Sequence, residues 1–377
     1  YRYTGRPFDR YDPVGFPERI DRMSSPVKKY AFIHAKLRAR LSKILDREFF
    51  FRLCGASGLT EALHMLKGTE YEGVSDTYDE TGDLKLGELE LFRREIETVR
   101  NIVKHVEDEV ALFVEGLLLY YEIEVLKHAL RLWFDRSVRN RDIRRAVGYI
   151  IRDRIVHDFS VDDIINAENP EGIETALDGT PYRDIAGGTL SEVVQGGSLF
   201  PLEIELDRFY YRTVFERIET LEGRDRDTAR RFLSAEVDLE NLNRIVRFSS
   251  FYGYSYREAL PYLIPYGRAL GTFGEIESVE HDERGRRKLY SAFLESYGIT
   301  DFPLSETSGE RNSLVLLNSL MEEIIDREIR KILYGYPFTI GIILAYIVLK
   351  RKEIQKLMSI LNAHYYELPE EKMRQIV

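Results

Sequence analysis

The chain has 377 residues, a formal net charge of −10 and a single cysteine, Cys54. At roughly 100–200 residues per domain such a length holds two or three domains, and the acidic balance argues against nucleic acid as a partner, because phosphate contacts need a positive field. One cysteine excludes an intramolecular disulfide and a thiolate metal cluster and suits a reducing, cytosolic setting, while 24 tyrosines and 20 phenylalanines belong to a packed body.

Residues 1–26 are rich in Arg, Pro, Gly and aromatics without helical period and read as an extended arm. Within it Arg2, Arg6, Asp9, Arg10 and Asp12 leave no apolar signal core. From Val27 the pattern turns helical: Tyr30, Ile33, Leu37, Leu41, Ile44 and Leu45 recur mostly at spacings of three and four. Corresponding opening helices are expected again near Asp142 and Ser255.

Next comes Leu66-Lys67-Gly68-Thr69-Glu70-Tyr71, which returns as Leu177-Asp178-Gly179-Thr180-Pro181-Tyr182 and, degenerately, as Leu294-Glu295-Ser296-Tyr297. Gly68 and Gly179 suit the left-handed position that closes a helix, and Thr69 and Thr180 suit the cap of the next one. Glu72 would complete a capping box with Thr69, and Pro181 fits the first helical position. A glycine beside a helix start can also bind anions, but the recurrence of the element favours a hinge between helices.

A second pattern begins with an acid and carries a leucine four residues later. It reads Glu122-Ile123-Glu124-Val125-Leu126, then Asp238-Leu239-Glu240-Asn241-Leu242, then Glu353-Ile354-Gln355-Lys356-Leu357, at intervals of about 115 residues. Ile123, Leu126 and Leu130 share one helix face, as do Leu239, Leu242 and Val246, and Ile354, Leu357 and Leu361. Each helix is expected to offer this stripe to its own unit. Three units follow, 27–138, 139–253 and 254–377, behind the arm at 1–26. Between the two patterns, helical period runs over Leu89 to Val106, Leu202 to Leu221 and Leu314 to Leu333, and strand signals are scarce. Asn166 to Gly172 and Gly187 to Pro201 read as loops. The predicted fold class is all-α.

The apolar run from Phe338 to Leu349 is short of the ~20 residues of a membrane-spanning helix and reads as core. There is no Walker-type loop and no dinucleotide fingerprint. The histidines, His34, His64, His105, His128, His157, His281 and His364, are scattered and show no zinc spacing. Glu122 and Glu124, or Asp238 and Glu240, point to different sides of a helix and make no acid/base dyad. Two readings of these carboxylates stand open. They are helical electrostatics, with Glu240 before Arg244 and Glu124 before His128, or they meet partners on neighbouring helices of the same unit. No catalytic, cofactor-binding or metal residue is nominated. Arg136, Arg139, Arg141, Arg144 and Arg145, and Arg284, Arg286, Arg287 and Lys288 after the acidic stretch Glu275 to Glu283, are solvated faces or docking points for carboxylates or acidic lipid.

The chain resembles the C subunit of A-type (V-type) rotary ATPases and ATP synthases, the counterpart of the eukaryotic V-ATPase d subunit. The likeness rests on Tyr30-Ala31-Phe32-Ile33-His34-Ala35-Lys36-Leu37-Arg38-Ala39, the Leu-x-Gly-Thr-x-Tyr turns, Phe200-Pro201-Leu202-Glu203 leading to Leu206-Asp207-Arg208-Phe209-Tyr210-Tyr211, and Asp238-Leu239-Glu240-Asn241-Leu242. It implies three helical units around a pseudo-threefold axis, forming a funnel with a central cavity. It also implies a non-catalytic central-stalk role, without cofactor or metal, that passes torque between ATP chemistry and proton or sodium transport. The implied partners are the D and F shaft subunits in the funnel's mouth and the membrane proteolipid ring beneath, with the large membrane stator subunit as a further neighbour. One copy per complex would sit at the cytoplasmic face of the membrane as a peripheral subunit. The family's Asn of the acid-Leu pattern stands as Asn241 and is replaced by Val125 and Lys356 in the other copies. A helical-repeat adaptor, expected to stack in an open line, and an enzyme with a site assembled from distant residues are the alternatives.

Overall fold

The computed structural model describes residues 25–253, 255–269, 283–300, 302 and 310–377. The arm at 1–24 and the acidic stretch from Glu275 to Asp282, which includes His281, lie outside them. Among the described residues every regular element is helical.

The first copy opens with α1 (Ser25–Leu41), then α2 (Arg47–Cys54), α3 (Leu59–His64), α4 (Glu72–Thr81), α5 (Leu84–Val103) and the long α6 (Asp108–Ser137). A 3₁₀ turn (Ala146–Tyr149) leads to α7 (Val161–Asn166), α8 (Pro170–Ala176), α9 (Tyr182–Gly196), α10 (Phe200–Thr220) and the long α11 (Gly223–Tyr252). The third copy holds α12 (Tyr256–Ala259), a 3₁₀ turn (Leu260–Tyr262), α13 (Glu283–Ser296), α14 (Glu310–Tyr334), the long α15 (Gly341–Tyr365) and α16 (Glu370–Arg374).

The repeated turns form as their residues dictate. Gly68 and Gly179 take φ of 78° and 76°, and Gly298 stands at 67° after the degenerate third turn. A side chain at such φ is strained, which is why glycine closes these helices. Thr69 Oγ1 accepts from Tyr71 N at 3.1 Å, and Thr180 Oγ1 from Tyr182 N at 3.3 Å. The capping box is shifted: Glu72 reaches back to Gly68 N at 3.2 Å instead of Thr69 N.

Three expectations fail. Among the described residues the opening helix of 17 residues occurs in the first copy alone; near Asp142 stands a four-residue 3₁₀ turn and near Ser255 a four-residue helix. The loop expected from Gly187 is helix through Gly196. Gly187 there lets α9 lie against α8, since a Cβ would stand 3.2 Å from the Glu174 carboxylate. Likewise α8 occupies part of the loop expected at 166–172, with Asn169 capping it through Gly172 N at 2.9 Å.

The apolar stripe of the third acid-Leu helix is misassigned as well. Ile354, Leu357 and Leu361 of α15 pack with Phe50, Leu53, Leu63, Leu66 and Tyr71 of the first copy in a core cluster of their own. In the same way α6 lies on α7, with Trp133 Nε1 donating to Ala167 O at 2.9 Å. Each of these two long helices therefore packs against small helices of the following copy. The segment Phe338 to Leu349 is core: Ile340, Ile342, Ile343, Leu344 and Ala345 are buried.

Candidate functional site

The leading acid of each acid-Leu helix reaches into the next copy and accepts at least one backbone N–H there. Glu122 Oε2 accepts from Val156 N at 2.6 Å and His157 N at 2.7 Å, and Oε1 accepts from Tyr182 Oη at 2.7 Å and lies 2.7 Å from His157 Nδ1. Asp238 Oδ2 accepts from Arg268 N at 2.9 Å and Tyr297 Oη at 2.6 Å, while Ala269 N donates to Oδ1 at 3.0 Å. Glu353 Oε1 accepts from Leu45 N at 2.7 Å. The tyrosine of each repeated turn faces one of these acids: Tyr182 faces Glu122, Tyr297 faces Asp238, and Tyr71 faces Glu353. The order is cyclic. The second copy clasps the first, the third clasps the second, and the first clasps the third.

Neither open reading holds for Glu122 and Asp238, whose partners lie in the following copy, whereas Glu353 adds to its bond across the seam a pairing with Lys350 of its own helix at 2.7 Å. Helical electrostatics holds for Glu240, 2.9 Å from Arg244. Glu124 instead pairs with Lys127 at 2.9 Å.

One clasp explains a local sequence choice. Asp238 is a methylene shorter than Glu122 and Glu353, so the loop it binds must come closer. The residue before the first bonded N–H is Ile44 and Ile155 in the other clasps but Gly267 here. A Cβ on Gly267 would stand 2.0 Å from Asp238 Oδ1. Asn241 adds a paired contact with Ile264, donating to its carbonyl at 2.9 Å and accepting its N–H at 2.8 Å. Val125 cannot make this contact, and Lys356 points elsewhere, with Nζ 3.5 Å from Val377 O.

The long helices also meet through their own equivalent positions. At the first turns of α6 and α11, Lys29 of α1 pairs with Glu109 and lies 3.8 Å from Asp225. Asp225 accepts from Tyr30 Oη at 2.6 Å and from Ile340 N at 2.9 Å. Glu109, Asp225 and Ile340 occupy matching places in the repeat. The two acids lie where a helix N-terminus favours negative charge.

Further along, two residues before each leading acid, stand Tyr120, Glu236 and Arg351. The Arg351 guanidinium lies 4.6 Å from the Tyr120 ring centre and 3.4 Å from Tyr121 Oη, and its Nε is 3.9 Å from Glu95. Its charge also acts on Glu236. Tyr210 joins from α10, with its ring 5.9 Å from that of Tyr120. Tyr120, Tyr211, Glu236 and Arg351 are half-buried, so this meeting point is deep yet reached by water. Burial raises the carboxyls of Glu95 and Glu236 above the ordinary range, against the lowering field of Arg351. Beside them Asp207 bridges Lys127 of α6 and Arg244 of α11, the latter at 2.6 Å.

Titratable groups are thus gathered, but as tyrosines, carboxylates and arginine without a histidine. Among the described residues no group of His, Cys, Asp and Glu could hold a metal ion. His364 Nε2 donates to Leu53 O at 2.8 Å, and His157 serves its clasp. Of the first basic cluster, Arg136 bonds the carbonyls of Ile165 and Ala167, at 3.0 and 2.6 Å. Arg139, Arg141 and Arg144 pair with nearby aspartates. In the second cluster the side chains of Arg284 and Arg286 lie outside the described residues. Sequence reading missed the clasps and the Arg351 meeting point; the shared register of Tyr120, Glu236 and Arg351 was the available signal.

Among the described residues no helix is long and apolar enough to cross a membrane. Similarity to known proteins spans nearly the whole chain. The C subunit of the A-type ATP synthase of Methanococcoides burtonii is 26% identical over 94% of this chain and 95% of its own length. Its counterpart in Methanocaldococcus jannaschii is 22% identical over 95% and 88%. The C subunit of the V-type ATP synthase of Deinococcus radiodurans is 23% identical over 92% and 91%. Residues 33–376 match the family described as ATP synthase (C/AC39) subunit, and the chain belongs to that family of A/V-type ATP synthase C subunits.

Proposed function

We propose that this subunit is the non-catalytic coupling piece of an A/V-type rotary ATPase or ATP synthase. It would join the D and F shaft subunits to the membrane proteolipid ring and pass torque between ATP chemistry and proton or sodium movement. Three units, 27–138, 139–253 and 254–377, would be arranged around a pseudo-threefold axis as a funnel, at the cytoplasmic face of the membrane and in one copy per complex. The observation that carries this reading is the cyclic set of clasps, which returns from the third copy to the first. A closed, interlocked body resists twisting in a way that an open stack of repeats does not, and close-packed interiors transmit strain. The same closure counts against an open-line adaptor.

The test is purification of the tagged protein from its native membranes, followed by identification of its companions. Recovery of D, F and ring subunits in stoichiometric amounts supports the coupling role. Recovery of the protein without any other ATP synthase component sinks it.

A further inference from the structure

A recess of 670 Å³ opens at the closing seam, where the third copy meets the first. Its walls come from the end of α1 and the segment after it (Arg40, Lys43), the repeated turn (Thr69), α5 (Arg94, Thr98) and α15 (Lys350). That size falls among small-molecule sites, which run at about 300–1,000 Å³.

Its electrostatics are unbalanced. The recess also carries Glu70 and Glu97, but Glu70 is held by Lys350 and Glu97 by Arg100 at 2.8 Å. Arg40 stands beside the Tyr346 hydroxyl, and among the described residues neither it nor Lys43 has a carboxylate within ion-pair distance. Arg94 Nε is paired with Glu90 Oε1 at 3.4 Å, a long contact whose angle leaves the buried N–H without a hydrogen bond among the described residues. The excess of cation in the recess therefore rests on Arg40 and Lys43, with Arg94 only loosely held.

The contrast with the seam between the first and second copies sharpens the point. Lys43 lies two residues before the N–H that binds Glu353, and its counterpart before the Glu122 clasp is Arg154. Arg154 donates to Val156 O at 3.1 Å and is thereby used within the fold. At the closing seam the equivalent cation is left for something else.

We propose that this recess binds a small phosphate-bearing anion, held by Arg40 and Lys43 with Arg94 and the Thr98 hydroxyl as further donors. Charge-assisted contacts of this kind are short and strong, and arginine matches phosphate oxygens in pairs. A ligand there would touch α1, α5 and α15 together and so tighten the one seam that joins the end of the chain to its beginning.

The test is calorimetric titration of the full-length protein with pyrophosphate, and with citrate as a carboxylate anion of comparable charge. The variants are the double change Arg40→Gln, Lys43→Gln and the control Lys372→Gln on α16. Saturable pyrophosphate binding that weakens on the order of tenfold or more in the double variant and stays unchanged in the control is the expected result. Thermal unfolding with and without pyrophosphate keeps folding separate from binding, since the double variant should lose the ligand-induced rise in Tm while retaining its own cooperative transition. Absence of pyrophosphate binding, equal binding by the double variant, equal weakening in the control, or tighter binding of citrate than of pyrophosphate would each overturn the proposal.

Discussion

The seam between the first two copies and the seam that closes the third onto the first use the same acid in different ways. Glu122 takes two backbone N–H groups and the Tyr182 hydroxyl. Glu353 takes one backbone N–H, and its other oxygen accepts from Lys350 Nζ at 2.7 Å. Lys350 also lies 4.7 Å from the centre of the Tyr71 ring, and the buried Tyr71 hydroxyl closes no hydrogen bond among the described residues. A lysine has thus displaced a tyrosine hydroxyl as the second partner. The same acid position tolerates a neutral or a cationic donor, provided its lone pairs are filled.

The largest break in this comparison should come from Glu122→Ala. It strands two backbone N–H groups and the Tyr182 hydroxyl, a loss of about 3–4 kcal/mol, read as a fall in the urea unfolding midpoint. Gly267→Ala should follow at about 2–3 kcal/mol, because the new methyl must push Asp238 or its loop aside. The same measurement on Ile155→Ala at the first seam should show an ordinary loss of apolar contact without displacement of the carboxylate. Tyr182→Phe and Tyr297→Phe each remove one hydrogen bond to a carboxylate, for about 1.5–2 kcal/mol. Tyr71→Phe should be near neutral or stabilising, since it deletes a hydroxyl that is buried without a partner among the described residues. Equal costs for the three tyrosines would erase the distinction between the seams.

The smallest effect concerns pH. Burial is the main cause that raises Asp238 above the ordinary aspartate range, although Tyr297, Ala269 and Arg268 pull it down. The folded state then holds this proton to higher pH than the unfolded one. Asp238 therefore costs stability as pH rises from the ordinary aspartate value through its raised value. In Asp238→Asn that decline should be missing, so the variant gains on the parent across this window and the difference levels off above it. Chemical denaturation at a series of pH values checks the sign.

Much of the helical framework is legible in the sequence because period and punctuation are local signals. The stripes of α6, α11 and α15 and the left-handed Gly68 and Gly179 belong to this class. Context decided the rest. Gly187-Gly188 reads as a loop, and only the approach of Glu174 from α8 shows why a helix needs glycine there. The expected opening helices near Asp142 and Ser255 give way to segments whose backbone N–H groups at Val156, His157, Arg268 and Ala269 are spent on carboxylates. At the site the acids were visible, but the copy that receives them was not. Nothing in Glu122 or Glu353 states that its partner lies in the following repeat.

The place where Tyr120, Glu236 and Arg351 meet has a consequence for how such a chain can evolve. Three separate identical subunits would bring three identical side chains to that point. Three arginines or three glutamates would repel there, and an assembly of copies would be limited to uncharged choices. A single chain that carries all three copies escapes the restriction. One copy supplies the cation, another the anion and the third an aromatic face, so linkage of the repeats makes asymmetry available at the position where identical copies would be most constrained.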